Sequence, residues 1–147
     1  MRKRRKSREL ALQAVYAWEM RTGEKPSEVL ERIAETRSLG PRVREYAVKL
    51  VEFVGENSAH IDDLIKRHAR NWELGRMAAI DRNLLRVAVA ELLYCEDVPY
   101  RVVIDEAVEI AKEFGTDDSG KFVNGVMDAI HKNMSTPQEP ENRPHRK

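Results

Sequence analysis

The stretch Asp117-Asp118-Ser119-Gly120-Lys121-Phe122-Val123-Asn124-Gly125-Val126-Met127-Asp128-Ala129-Ile130 reads as a helix built around residues a helix disfavours. Val123, Val126, Met127 and Ile130 recur at three- and four-residue steps, the period of one buried helical face. Asn124 and Gly125 interrupt that helix near its middle, where glycine alone costs about 1 kcal/mol relative to alanine. Such a break in local preference marks either a packing contact or a functional surface. Gly125 can admit a neighbouring helix at close range. Lys121, Phe122 and Asn124 bring a cation, a ring and an amide to a helix start, and these groups bind single-stranded nucleic acid. The ammonium meets a phosphate, the ring stacks on a base and the amide reads a base edge.

Working outward, the same helical period recurs along the chain. Ala11, Ala14, Val15 and Trp18 stripe a first helix over about 7–21, with Arg8, Leu12 and Tyr16 in an adjoining row. Thr22-Gly23 stops it, and Pro26-Ser27 opens a short second helix carrying Val29, Leu30 and Ile33. After Leu39-Gly40-Pro41, a third stripe runs from Val43 through Tyr46, Ala47, Leu50 and Val51 to Val54. Ile61, Leu64, Ile65, His68 and Trp72 make the fourth, and residues 71–75 read as a hinge between halves. Asp81-Arg82-Asn83 starts a fifth helix whose run of Leu, Val and Ala marks it as the central buried element. Pro99 falls in the first turn of the sixth helix, where its missing N–H costs little. Gly115 reads as a left-handed cap closing that helix, and Asp117, Asp118 and Ser119 offer caps for the seventh. Strand-like alternation is lacking, so the expectation is an all-α domain of seven helices over 1–133, with halves at about 7–73 and 74–133. A polar, proline-bearing tail over 134–147 reads as flexible.

At 147 residues the chain is one ordinary domain. Its net charge is only +1, but Arg2, Lys3, Arg4, Arg5, Lys6 and Arg8 crowd the N-terminus ahead of acid-rich later helices. That asymmetry describes a basic arm for an anionic partner. Cys95 is the only cysteine, which rules out an intramolecular disulfide and a cysteine-rich zinc site. No run of about 18 apolar residues crosses a membrane, and the expected location is the cytoplasm. His60, His68, His131 and His145 fall in different segments without metal-ligand spacing, and Cys95 reads as an inert buried thiol. Glu106, Glu109 and Glu113 read as ordinary surface charges. No phosphate-cradling glycine loop or nucleophile elbow is present. A binding protein, not an enzyme, is expected, with no cofactor and no metal.

Three motifs in order, Ile80-Asp81-Arg82-Asn83-Leu84-Leu85-Arg86, Val98-Pro99-Tyr100 with Ile104-Asp105-Glu106-Ala107-Val108-Glu109, and Lys121-Phe122-Val123-Asn124-Gly125-Val126, resemble the NusB family of transcription antitermination factors. The opening Arg4-Arg5-Lys6-Ser7-Arg8-Glu9 and Ala14-Val15-Tyr16-Ala17-Trp18 resemble that family's N-terminus. The likeness covers residues 4–130 and implies two packed three-helix bundles with seven helices. It implies binding to boxA RNA of nascent, chiefly ribosomal RNA, transcripts jointly with NusE, the small-subunit ribosomal protein. With other Nus factors on RNA polymerase, that pair opposes termination. By resemblance, RNA contact falls to Arg4, Arg5, Arg8 and Tyr16 on one side and Asp118, Lys121, Phe122 and Asn124 on the other. The NusE contact falls to Asp81, Arg82 and Arg86. Family members occur as monomers or dimers, and a homodimer covering the basic arm would hide the RNA surface. Two other readings stay open: an RNA-binding domain related to RNA cytosine methyltransferases, and a non-catalytic protein-interaction scaffold.

Overall fold

A computed structural model describes residues 2–21, 23–69 and 74–135, and every regular element among them is helical. The helices are α1 (Arg2–Glu19), α2 (Pro26–Ala34), α3 (Pro41–Glu56), α4 (Ser58–His68), α5 (Ala79–Tyr94), α6 (Tyr100–Phe114) and α7 (Ser119–Ser135). The first three pack on one another, as do α5, α6 and α7, giving two three-helix bundles. The bundles join where α1 and α3 lie on α5. Although α4 precedes the expected hinge, it packs mainly on α5 and α7. Of that hinge, Leu74 and Gly75 are described, and they open a short 3-10 turn, Leu74–Arg76. Trp72, His145 and the residues beyond 135 lie outside the described residues.

α5 is the element the rest is built on, because its apolar side chains leave little polar face. Leu84, Leu85, Val87, Ala88, Val89 and Ala90 are all buried, and α1, α3, α4, α6 and α7 cover them. Pro26 and Pro41 sit in the first turns of α2 and α3, where no N–H is required of them. The Lys25 N–H donates to Glu28 Oε1 at 3.2 Å, tying the start of α2.

Three local expectations change. The basic arm is no arm: α1 begins at Arg2, five residues before the expected start. Arginine and lysine are good helix formers, and residues 2–6 contain no glycine, proline or β-branched side chain to stop the helix. Cations at a helix N-terminus oppose its dipole, and carboxylates from α5 and α6 offset that cost, as described below. Gly115 is not left-handed but extended, with φ −102° and ψ −155°. Glycine is needed there because a Cβ would lie 2.3 Å from Ser119 Oγ, which accepts the Thr116 N–H at 2.9 Å. Gly125 admits no helix, since nothing lies within 4 Å of where its Cβ would be. The close approach of α6 and α7 falls instead at Gly120, whose Cβ would meet Lys112 Cγ at 3.2 Å. The helix-weakening pair Asn124-Gly125 is exposed, so packing does not account for it.

Candidate nucleic-acid interface

The N-terminal cations divide into exposed and committed groups. Arg8 is only 4% exposed. Its Nε donates to Glu91 Oε1 at 2.8 Å and its Nη2 to Glu91 Oε2 at 2.7 Å, a bidentate pair across 83 residues of sequence. The Tyr46 hydroxyl donates to the same carboxylate at 2.5 Å. Burial first, and then that bond to Glu91, push the Tyr46 phenol far above its ordinary range. Arg8 is therefore an internal counter-ion to Glu91 and not a phosphate contact, which corrects the sequence expectation. Arg5 faces α6, donating to Glu106 at 2.5 and 3.2 Å. That hydrogen bond holds the Glu106 carboxyl below its usual value despite partial burial, so Glu106 is no ordinary surface charge. Arg4 lies 4.1 Å from the Tyr46 ring centroid and 3.9 Å from Asp97, while Lys6 is exposed.

Tyr16 stands eleven residues beyond Arg5 on α1, close to three full turns, so both point to the α6 side. It lines a groove of about 260 Å³ with Glu9, Leu12, Gln13, Ile80 and Phe114. A second groove, of about 370 Å³, is lined by Met77, Ala78, Asp81, Thr116, Asp118 and Phe122. Both grooves draw on the same two corners of the fold: Ile80 and Asp81 are consecutive at the start of α5, and Phe114 and Thr116 flank Gly115 between α6 and α7. Tyr16 lines the first of these grooves and Phe122 the second, and each is partly buried. Lys121 and Asn124 are exposed on the first turns of α7, and Asp118 is exposed just before it.

The triplet assigned by resemblance to a protein partner is differently employed. Arg82 clamps Glu19 of α1 with Nε and Nη2 at 2.6 and 2.8 Å, and its Nη1 donates to the Met77 carbonyl at 2.9 Å. Arg86 pairs with Asp62 of α4 at 2.9 Å and with Glu19 at 2.8 Å. These guanidiniums fasten α1 and α4 to α5. Asp81 is 9% exposed, and its Oδ1 meets no donor among the described residues. Leaving a buried acceptor unmade costs about 1–3 kcal/mol, more when charged. Gln13 Oε1, beside Tyr16, is the other such acceptor in the described part of the chain.

Glu19, with its three donors, was not singled out by sequence reasoning. The Arg82 hydrogen bond, reinforced by Asn83 and Arg86, lowers its carboxyl from 4.5 to about 2. A carboxyl lowered on folding stabilises the native state above its unfolded value, and that contribution is lost as pH falls through the folded one. Acid titration should therefore remove on the order of 2 kcal/mol, after allowance for solvent screening, between about pH 4.5 and pH 2. Urea unfolding at stepped pH checks this. Glu19→Gln should be less stable at neutral pH and show a shallower loss in that window, whereas an unchanged slope would show that Glu19 does not carry it.

The NusB family model matches residues 5–132. The chain belongs to the NusB family. It is 46% identical over 134 residues to the transcription antitermination protein NusB of Chloroherpeton thalassium, covering 90% of this chain and 63% of that protein. With the same protein of Desulfatibacillum aliphaticivorans the identity is 41% over 143 residues, covering 97% and 99% of the two chains. Among solved structures, T. maritima NusB superposes with a TM-score of 0.80 at 44% identity, covering 88% of this chain and 90% of that one. A complex of antitermination factors NusB and NusE with double-stranded RNA matches with a TM-score of 0.81 at 34% identity, covering 90% and 98%. The seven helices and their two bundles are accordingly those of NusB proteins, and no helix among the described residues is long and apolar enough to cross a membrane.

Proposed function

We propose that this NusB-family chain is a cytoplasmic, non-enzymatic transcription antitermination factor. It binds boxA-type single-stranded RNA of nascent ribosomal RNA transcripts jointly with NusE and, with other Nus factors, helps RNA polymerase resist termination. The observation that supports the RNA reading is the pair of grooves at the α5 start and the α6–α7 corner, one lined by Tyr16 and the other by Phe122, with Lys121 and Asn124 exposed on the first turns of α7. The relative solved with NusE and RNA supports the choice of partners. Single-stranded sites suit half-open rings because only an unstacked base offers its face to them. Arg4, Arg5 and Lys6, whose heads reach solvent at least in part, supply the sequence-blind attraction to phosphates, and Asn124 reads a base edge.

The test is equilibrium binding of a boxA strand and a scrambled strand, each with and without NusE, across a salt series. The expected result is preference for boxA that sharpens with NusE, and a log-log salt slope of about −0.7 per neutralised phosphate. Replacing Arg4, Arg5 and Lys6 together by alanine should flatten that slope. Equal affinity for both strands in all conditions would remove the proposal.

A further inference from the structure

We propose that the groove between α1 and α3 is a second phosphate path, holding backbone phosphates of the RNA that flanks the boxA element. This rests on the RNA-binding reading above and extends it onto α3. The groove has a volume of about 470 Å³ and is lined by Arg4, Ser7, Arg42, Glu45, Tyr46 and Lys49. Arg42 and Lys49 are exposed, and no carboxylate pairs with either among the described residues. Two acids stand near these cations. Glu45 also lines the neighbouring groove with Leu39 and Arg44, and Asp97 meets Arg4 only at 3.9 Å, with 67% of its side chain exposed. So open an ion pair neutralises little, and the groove keeps an excess of positive charge.

The floor of the groove decides which part of a nucleotide it takes. The Tyr46 ring is buried and pinned by its hydroxyl bond to Glu91 at 2.5 Å. The Arg4 guanidinium lies over that ring at 4.1 Å, and Lys49 Nζ is 5.9 Å from the same centroid. A buried ring already faced by a cation offers no face for a base to stack on. Cations held in place by a ring, however, lose less freedom when an anion arrives. Arg42 and Lys49 are seven residues apart on α3, two turns along one helical face and about 10 Å along its axis. A row of that length fits successive charges of an extended strand better than one small anion. Arg4 also adjoins Arg5, which faces α6, so the first turn of α1 presents cations to both sides. A strand lying on the Tyr16 side therefore continues across that turn onto α3, where charge is read and base identity is not.

The experiment compares a minimal boxA strand with strands carrying a short run of uridines at the 5′ or the 3′ end, each bound to the full chain with NusE. Wild type should bind one of the two extended strands more tightly than the minimal one. Its log-log salt slope should be steeper by about 1.4, for two phosphates at about 0.7 each, so the gain shrinks about sevenfold between 50 and 200 mM salt. Arg42→Gln with Lys49→Gln should abolish the gain and the extra slope while leaving affinity for the minimal strand unchanged. Should the double variant fail to fold, each single variant should remove part of both. Lys66→Gln with Arg67→Gln, which takes the same charge from α4, should keep the gain. The assignment is overturned if wild type gains from neither extension, or if the gain survives in the α3 variant. It is equally overturned if that variant weakens minimal and extended strands by one factor, or if the α4 variant loses as much. Failure of wild type to prefer boxA over a scrambled strand would instead remove the RNA reading, and this assignment with it.

Discussion

Replacing Arg8 by alanine is expected to destabilise the fold by about 3–5 kcal/mol, the cost of leaving a buried carboxylate without its partner. Glu91 is 1% exposed and sits within the apolar face of α5, where water cannot substitute for the guanidinium. Tyr46 remains as its donor in that variant, but one phenolic hydrogen bond does not balance a full charge. Tyr46→Phe, by contrast, should cost only about 1 kcal/mol, since the bidentate Arg8 pair stays. Urea unfolding followed by circular dichroism measures both, and the Arg8→Ala midpoint temperature should fall by roughly 10 °C. Replacing Arg8 and Glu91 together by leucine-like side chains should restore much of the loss, because the charge to be balanced is gone. If Arg8→Ala unfolds within 1 kcal/mol of wild type but binds RNA weakly, the residue belongs on the phosphates and its place inside is wrong.

Arg8 also shows where reading the sequence stops. A basic residue within a run of Arg and Lys looks like its neighbours, and only contact with Glu91, 83 residues away, sets it apart. Glu91 itself carried a signal: it falls at helical spacing from Leu84, Val87 and Ala88, on a face where a solvated carboxylate has no place. The seven helices were legible because apolar periodicity and proline or glycine stops are local properties. The true start of α1 was not, because residues 2–6 carry no apolar side chain and so no periodic signal, although their helix propensity is high. The internal partners of Arg82 and Arg86 were hidden for the same reason as that of Arg8. A motif shows which residues recur together, whereas the direction a guanidinium takes is decided by carboxylates on α1 and α4. Tyr16, Lys121, Phe122 and Asn124 stand out in the sequence because each breaks, or stands outside, the pattern of its own helix.

The ring of Phe122 gives the sharpest test of the interface. Phe122→Ala should weaken boxA binding by about 1–3 kcal/mol, the range for one lost base-stacking contact, which corresponds to roughly 5- to 150-fold in affinity. Because the ring also packs against the core from the start of α7, the alanine variant should lose some stability as well, and a loss of binding alone would not separate the two effects. Phe122→Leu separates them, since leucine retains most of the apolar contact but presents no π-face to a base. Binding by Phe122→Leu should therefore fall nearly as far as by Phe122→Ala, while its unfolding midpoint stays close to wild type. The salt slope should hardly change in either variant, because stacking neutralises no phosphate. Were leucine to bind boxA as tightly as phenylalanine, the ring would be a packing element, and recognition would rest on Tyr16 and the polar groups around it.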